Sequence, residues 1–384
     1  MKPKKIIPYG RQWIDQDDIK AVVSVLKSDW ITQGSNILEF EKAVALYVGS
    51  RYAVAVNTGT SALLAACFAL GISSGDEVIT TPYTFVATAN AISWLGARPI
   101  FVDIDNETFN IDPSRIETAI TKKTKAIVAV DFAGLPCDYE KIEKIAKKHD
   151  LVVIDDASQS LGSQYKGKKI GSIADMTTFS LHPVKTITTG EGGLIATNNK
   201  SLYEKLLLFR NHGLEKSSVT EQKGSWYYKM KILGLNLRLT SFQAALGLSQ
   251  LKKINKFVTR RRQIVKIYNS AFSNLPVVTP HETTDSKSAW HLYPMRLKLD
   301  KLRVDRRVIF NDLRRAGLGV QVHFIPVHLH PYYRQKFKFS KKDFPIAEAA
   351  YEAEISLPLY PKMTDADINF VINTFQNVIK KYQK

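Results

Sequence analysis

Residues 152 to 193 read VVIDDASQSLGSQYKGKKIGSIADMTTFSLHPVKTITTGEGG. The run opens as an apolar strand that ends in two carboxylates, Asp155 and Asp156, and it reaches a second strand pattern, MTTFS, at 176 to 180. A His-Pro break follows, then Lys185, then a glycine-rich turn leading into a third apolar run, GLIAT, at 193 to 197. A long charged side chain on a short connection between buried strands calls for a function. Ligands of parallel α/β sheets gather at the carboxyl ends of strands, so acids at one strand end and a lysine beyond the next mark a candidate site.

The same rhythm extends upstream. YAVAV (52 to 56), EVIT (77 to 80), RPIFVDI (98 to 104), KAIVAV (125 to 130) and LVVID (151 to 155) are short apolar runs. Helical patterns separate several of them, from about Thr60 to Leu70, from Thr84 to Leu95 and over 138 to 148. With MTTFS and GLIAT the runs predict an α/β fold, a seven-stranded, mainly parallel sheet with helices on both faces. Ahead of it, DQDDIKAVVSVLK (15 to 27) has the acidic first turn and apolar spacing of a helix, and 36 to 48 continues similarly. Beyond Leu202 the chain turns mostly helical, with one long amphipathic stretch from Ser241 to about Phe272. WHLYPMRLKL (290 to 299) and VQVHF (320 to 324) read as strands, and helices are predicted around 345 to 354 and 365 to 381. The expected division is a large α/β domain with its N-terminal segment over 1–255 and a smaller C-terminal α+β domain over 256–384.

Composition narrows the function classes. At 384 residues and 45% hydrophobic content the chain can bury a sizeable core. Its longest apolar stretches, such as SALLAACFAL (61 to 70), are shorter than the roughly 18 to 20 residues that span a bilayer. MKPKKIIPYG lacks the apolar segment of a secretory signal, so a cytoplasmic protein with no membrane contact is expected. The two cysteines, Cys67 and Cys137, have neither metal-site spacing nor the density of a disulfide framework and read as packed thiols. A net charge of 54 − 36 = +18 raises the question of nucleic acid. The basic residues are scattered apart from KKINKFVTRRRQIVK (252 to 266), with no zinc-finger spacing or RNA-recognition signature, so no nucleic-acid partner is expected. An anionic small molecule suits the charge equally well.

The strand ends carry the residues capable of chemistry. After YAVAV comes Asn57-Thr58-Gly59-Thr60-Ser61, whose free amides and hydroxyls make either a phosphate seat at a helix N-terminus or an ordinary helix cap. Tyr83 and Phe85 follow EVIT, placed to stack on a flat ring or to fill core. Asp155 and Asp156 suggest a polar partner, a metal or a helix cap, and spacing does not choose between the two acids. The residues before Lys185 lack the glycine-rich loop of a nucleotide-binding lysine, and no metal site is expected. A lysine, a strand-end acid and a phosphate seat together point to pyridoxal 5'-phosphate, an amine to join its aldehyde and an acid to keep its ring nitrogen protonated.

Residues 152 to 193 resemble the core of the DegT/DnrJ/StrS-type nucleotide-sugar aminotransferases, fold-type-I enzymes that use pyridoxal phosphate. The likeness continues through PYGRQWID, WITQGSNILEFE, NTGTSAL, DEVITTPYTFVATAN, LGLNLRLTSFQAALGLSQL, VQVHFIPVHLHPYY and EISLPLYP, nearly the whole chain. The stretches ITQ, ITTPYTFVATAN, KAIVAVDFAG, LGLSQLKK and AEISLP are most similar to members that aminate UDP-linked 4-keto-6-deoxy sugars. The resemblance implies that Lys185 is the catalytic, cofactor-linked lysine and Asp156 the partner of the ring nitrogen. It further implies that Gln159 lies by the ring, that Phe85 stacks on it, and that Thr60, Ser61 and Ser180 contact the phosphate. Asn236 matches an asparagine that crosses a homodimer interface into the neighbour's site. Tyr9, Trp30, Thr32, Gly59 and His323 align with substrate-contacting positions. Implied partners are a nucleotide sugar and an amino-acid donor, glutamate. Relatives that remove a 3-hydroxyl carry histidine at the lysine position, and this chain has Lys185.

Overall fold

A computed structural model describes residues 6–215, 222 and 224–384. The seven apolar runs are the strands of one sheet: β1 (Tyr52–Val56), β2 (Glu77–Thr80), β3 (Arg98–Phe101), β4 (Thr124–Val130), β5 (Val152–Asp156), β6 (Met176–Ser180) and β7 (Gly193–Thr197). Their order across the sheet is β1-β7-β6-β5-β4-β2-β3. Strands β3, β2, β4, β5 and β6 run parallel, and β7 runs antiparallel to both its neighbours. This reversal matters for the site, because Gly193 at the start of β7 pairs with Val56 at the end of β1 and with Ser180 at the end of β6.

Helices cover both faces: α1 (Gln16–Leu26), α2 (Ser35–Val48), α3 (Gly59–Ala69), α4 (Ala87–Trp94), α5 (Tyr139–Lys148) and α6 (Lys200–Arg210). Alternate residues of β1 enter different cores, Ala53 and Ala55 on one side and Val54 and Val56 on the other. That two-sided burial is why the strand reads as an unbroken apolar run rather than an alternation. On α3 the buried residues include Ala62, Ala65, Ala66 and Ala69, short side chains that let the helix lie close to the sheet. At the outer edge of β1, Glu41 accepts the Ala55 amide at 2.7 Å and pairs with Arg210, which donates to the Ala55 carbonyl at 2.8 Å. The exposed rim of the sheet is thus occupied by side chains instead of being left open for another strand.

The predicted amphipathic stretch from Ser241 to Phe272 is two helices, α7 (Ser241–Leu251) and α8 (Ile254–Phe272). Between them, Lys253 turns aside to Asp15 and Asp18, each at 2.7 Å. Ile254 and Phe257 of α8 pack with the large sheet, whereas Ile264, Val265, Tyr268 and Phe272 pack in the C-terminal core, so one helix belongs to both. That second core lies on a small antiparallel sheet of β8 (Val277–Val278), β9 (Tyr293–Leu297) and β10 (Glu354–Leu357). The remaining helices are α9 (Arg306–Arg315), α10 (Pro331–Phe337), α11 (Pro345–Ala353) and α12 (Asp365–Tyr382). Among the described residues no helix is long and apolar enough to cross a membrane.

One predicted strand is not a strand. VQVHF makes a single bridge, Gln321 to Ser356, and leaves the ladder at once. The backbone amide of His323 donates not to a neighbouring carbonyl but to the Glu354 carboxyl group at 2.8 Å. A side chain has taken the place of the next rung, and the segment turns toward the large sheet.

Candidate active site

The carboxyl ends of β1, β5 and β6 converge on a cavity of about 390 Å³ lined by residues of both halves of the chain. One end is the N-terminus of α3. Thr58 caps it, accepting the Ser61 amide at 3.0 Å, and the carbonyl of Thr58 accepts the Ala62 amide at 3.1 Å. The amides of Gly59 and Thr60 precede the first intrahelical bond and carry the positive end of the helix dipole. Packing here is close. A Cβ on Gly193 would stand 2.2 Å from the Thr58 carbonyl oxygen, and one on Gly59 would stand 2.8 Å from Cβ of Ser180. Glycine at both places lets Ser180 and the helix terminus share one small concavity, a cradle for an anionic group.

Asp156 lies at another wall of the same cavity. It is buried, and Oδ2 accepts from Thr88 Oγ1 at 2.7 Å while Oδ1 accepts from the Ser158 amide at 3.2 Å. Two donors hold the carboxyl in one orientation. Asp155 points the other way, as strand alternation requires, into a closed space beside Asp131 and Tyr139. Burial, then the neighbouring Asp131, raises its pKa well above the carboxylate range. Of the two acids, Asp156 is the one on the face of β5 that borders the cavity.

Lys185 lines the cavity from the β6–β7 connection. Burial lowers its ammonium to about 8, and the charge of Asp156 opposes that shift only in part. A neutral amine is therefore accessible near physiological pH. Gln159 is fixed by accepting the Ala133 amide at 2.8 Å, and Phe85 stays 57% exposed at the cavity mouth, its ring 5.9 Å from that of Phe324. Tyr9 and His323 enter from the N-terminal segment and from the stretch between α9 and α10, with ring centroids 5.5 Å apart.

The structure thus gathers Tyr9, Gly59, Thr60, Phe85, Asp156, Gln159, Ser180, Lys185 and His323 around one space. Ser61 lies one residue deeper in α3, and its hydroxyl donates to Asn57 at 2.7 Å. Trp30, Thr32 and Asn236 are elsewhere. Trp30 is 67% exposed, Thr32 bridges to Thr240, and Asn236 is an exposed residue bridged to Asn211. Sequence reasoning missed Thr88, His182 and His291. Thr88 had no signal, being one hydroxyl within a helix, but His182 stands in the quoted stretch itself. His291 is buried near Lys185, and burial, then Lys185, holds it well below the usual imidazole range, hence neutral.

An amine, a carboxyl group held by two donors, a flat apolar flank at Phe85 and a helix-terminus anion seat fit a pyridoxal phosphate in donor type and space. Among the described residues no group of three or more metal-ligating side chains competes with that reading.

Comparison with known proteins gave consistent findings. The model of the DegT/DnrJ/EryC1/StrS aminotransferase family matches residues 12–376. The chain is 41% identical to the spore coat polysaccharide biosynthesis protein SpsC of Bacillus subtilis, over 99% of this chain and 98% of that protein. It is 40% identical to the UDP-4-amino-4,6-dideoxy-N-acetyl-beta-L-altrosamine transaminase of Campylobacter jejuni, over 99% of each. Among solved structures, Helicobacter pylori PseC, an aminotransferase involved in the biosynthesis of pseudoaminic acid, superposes with a TM-score of 0.92 at 36% identity, covering 98% of this chain and 100% of that one. The PLP form of a putative sugar aminotransferase from Streptococcus pneumoniae gives a TM-score of 0.91 at 34% identity, over 98% of this chain and 99% of that one.

Proposed function

Because this chain belongs to the DegT/DnrJ/EryC1/StrS aminotransferase family and is a pyridoxal phosphate-dependent sugar aminotransferase, we propose that it aminates carbon 4 of a UDP-linked 4-keto-6-deoxy sugar, with glutamate as amino donor. The observation that carries this reading is the 40% identity, end to end, with a transaminase named for a UDP-4-amino-4,6-dideoxy sugar, in a chain whose site keeps both Lys185 and Asp156.

When bound, pyridoxal phosphate supplies an aldehyde that accepts an amine and a ring that accepts an electron pair. The residues do the rest. Nζ of Lys185, its ammonium lowered to about 8 by burial, is nucleophilic and, once free, takes the proton from the donor's α-carbon. Asp156, fixed by Thr88 and Ser158, would hold a proton on the ring nitrogen. The amides of Gly59 and Thr60 with Ser180 would anchor the phosphate, and Phe85 would supply an apolar flank for the ring. Tyr9 and His323 face the sugar.

Trp30, Thr32 and Asn236 serve the site of a second copy in a cytoplasmic homodimer. Support comes from their common place outside their own cavity and from the exposed apolar side chains near them, Ile31, Leu38, Leu233 and Leu235, at 50%, 50%, 78% and 43%. Two buried free thiols suit a reducing compartment.

The test is a panel of 4-keto UDP-, dTDP- and GDP-sugars incubated with glutamate, the products read by mass spectrometry. Amination of a UDP-4-keto-6-deoxy sugar at carbon 4 is expected. Turnover confined to a dTDP- or GDP-sugar, or amination at carbon 3, would reject the assignment.

A further inference from the structure

The small domain sends a hydrogen-bonded chain of three side chains into the cavity, and none of the steps above uses its two inner members. Glu354 and Ser356 are two residues apart on β10 and so share one face of the strand. Both are fully buried. The hydroxyl of Ser356 stands 2.5 Å from Oε1 of Glu354 and 2.8 Å from Nδ1 of His323. The other carboxyl oxygen, Oε2, accepts the backbone amide of His323, which closes the loop and fixes the rotamer. With Nδ1 engaged, Nε2 is the polar atom of His323 left for the cavity that the ring lines.

We propose that Glu354 and Ser356 form a proton relay that decides which nitrogen of His323 carries hydrogen, and so whether the ring offers the sugar a donor or an acceptor. The proposal rests on the reading of His323 as facing the sugar.

The argument is a count of hydrogens. A hydroxyl has one proton, so Ser356 donates to one neighbour and must accept from the other. If Glu354 is ionised, Ser356 donates to it, Nδ1 carries hydrogen, and Nε2 is bare. If Glu354 is protonated, it donates to Ser356, Ser356 donates to Nδ1, and Nε2 carries the hydrogen. In the alkaline conversion Glu354 passes its proton to Ser356, Ser356 passes one to Nδ1, and Nε2 gives up its own to water in the cavity, so the three groups lose one proton in all; acidification reverses each transfer.

Surrounding groups select the state. Burial raises Glu354 to about 8 against the opposing pull of its bond to Ser356, the His323 amide and Arg306 of α9. Arg296 lies opposite it on β9, and Tyr83 of the β2–α4 connection, with Tyr351 of α11 beside it, has its phenol pushed well above the usual range by burial and so is neutral. On the cavity side, burial and then Lys185 lower His323 to about 3, which removes the doubly protonated ring, and His291 is likewise neutral. At neutral pH, therefore, Glu354 is protonated and Nε2–H points a donor at the cavity. A donor there suits an oxygen that can only accept, such as a ketone. Glu354 and Ser356 act through His323 and are positioning residues.

Nitrogen NMR on the full chain labelled with [15N]histidine, without sugar, tests this directly. His323→Gln identifies the resonances. The hydrogen is expected on Nε2 at low pH and on Nδ1 at high pH, with a midpoint near 8. Glu354→Gln should hold Nε2–H throughout, because its amide oxygen keeps the His323 backbone bond and its NH2 group donates to Ser356. Ser356→Ala should abolish the transition. One tautomer from about pH 6 to 10 in the unsubstituted protein, a charged ring at neutral pH, or the same transition persisting in Glu354→Gln would each overturn the proposal. The unsubstituted protein alone decides it if a variant fails to fold. No sugar is present, so an error in the substrate assignment leaves this result intact.

Discussion

The neutrality of Lys185 can be measured apart from turnover. With its ammonium lowered to about 8, against 10.5 for an ordinary lysine, about 9% of the side chain is neutral at pH 7. An exposed lysine under the same conditions is neutral in about 0.03% of molecules, so the free-amine fraction differs by roughly 300-fold. Trace acetylation of the cofactor-free protein, quantified peptide by peptide across a pH series, reads that difference as a midpoint. Restricted access alters the amplitude of labelling but not its pH dependence. Lys185 should give a midpoint near 8. The sign at Asp156 gives a second check. Its negative charge is the one influence retaining the proton on Lys185, so Asp156→Asn should move the midpoint further down. A Lys185 midpoint near 10.5, or an upward movement in the Asn variant, would refute the burial argument. The same shift bears on stability. A lowered amine binds fewer protons folded than unfolded between its two pKa values, so the cofactor-free protein should gain stability as pH rises from about 8 toward 10.5, and Lys185→Met should lack that slope.

Other consequences are open to measurement. Gly193→Ala would place a Cβ 2.2 Å from the Thr58 carbonyl oxygen, so a loss of about 1–3 kcal/mol and weaker phosphate retention are expected in thermal melts and cofactor titration. Normal values for both would show that the cradle yields freely. Thr88→Ala removes the 2.7 Å donor to Asp156; at about 1.5–3 kcal/mol for a bond to a charged group, cofactor affinity should drop at least tenfold and recover in Thr88→Ser. Fluorescence titration decides it, and unchanged affinity in the Ala variant would mean that Ser158 suffices. The +18 net charge predicts that the Michaelis constant for the sugar nucleotide rises with ionic strength; a flat response would remove charge attraction from the account.

The central sheet was legible because its strands are buried on both faces. Each then appears as an apolar run with turn residues at its ends, and all seven runs became strands of the one sheet. VQVHF carries the same local signature and failed for a reason no local pattern contains, a carboxyl group from thirty-one residues downstream capturing the next amide. In the site, Lys185 and the acids stood out because charge at a strand end is costly without a partner. Choosing Asp156 over Asp155 by residues alone required the direction of β5, which only the folded sheet supplies; the family resemblance had implied the same choice. Thr58 was seen as part of the turn, but its role as the cap, with Ser61 turned inward to Asn57, depends on rotamers. The relay through Ser356 was invisible because it joins two segments that touch only after folding.

The reversed seventh strand has a mechanical consequence for the amine. A parallel strand would be reached by a crossover that carries the chain to the opposite edge of the sheet and back. Here the segment holding Lys185 leaves and re-enters the sheet at the same rim, moored at Ser180 on one side and Gly193 on the other. The lysine therefore rides on a short span with two fixed abutments, free to swing its side chain but not to carry its backbone away when the bond to the cofactor opens.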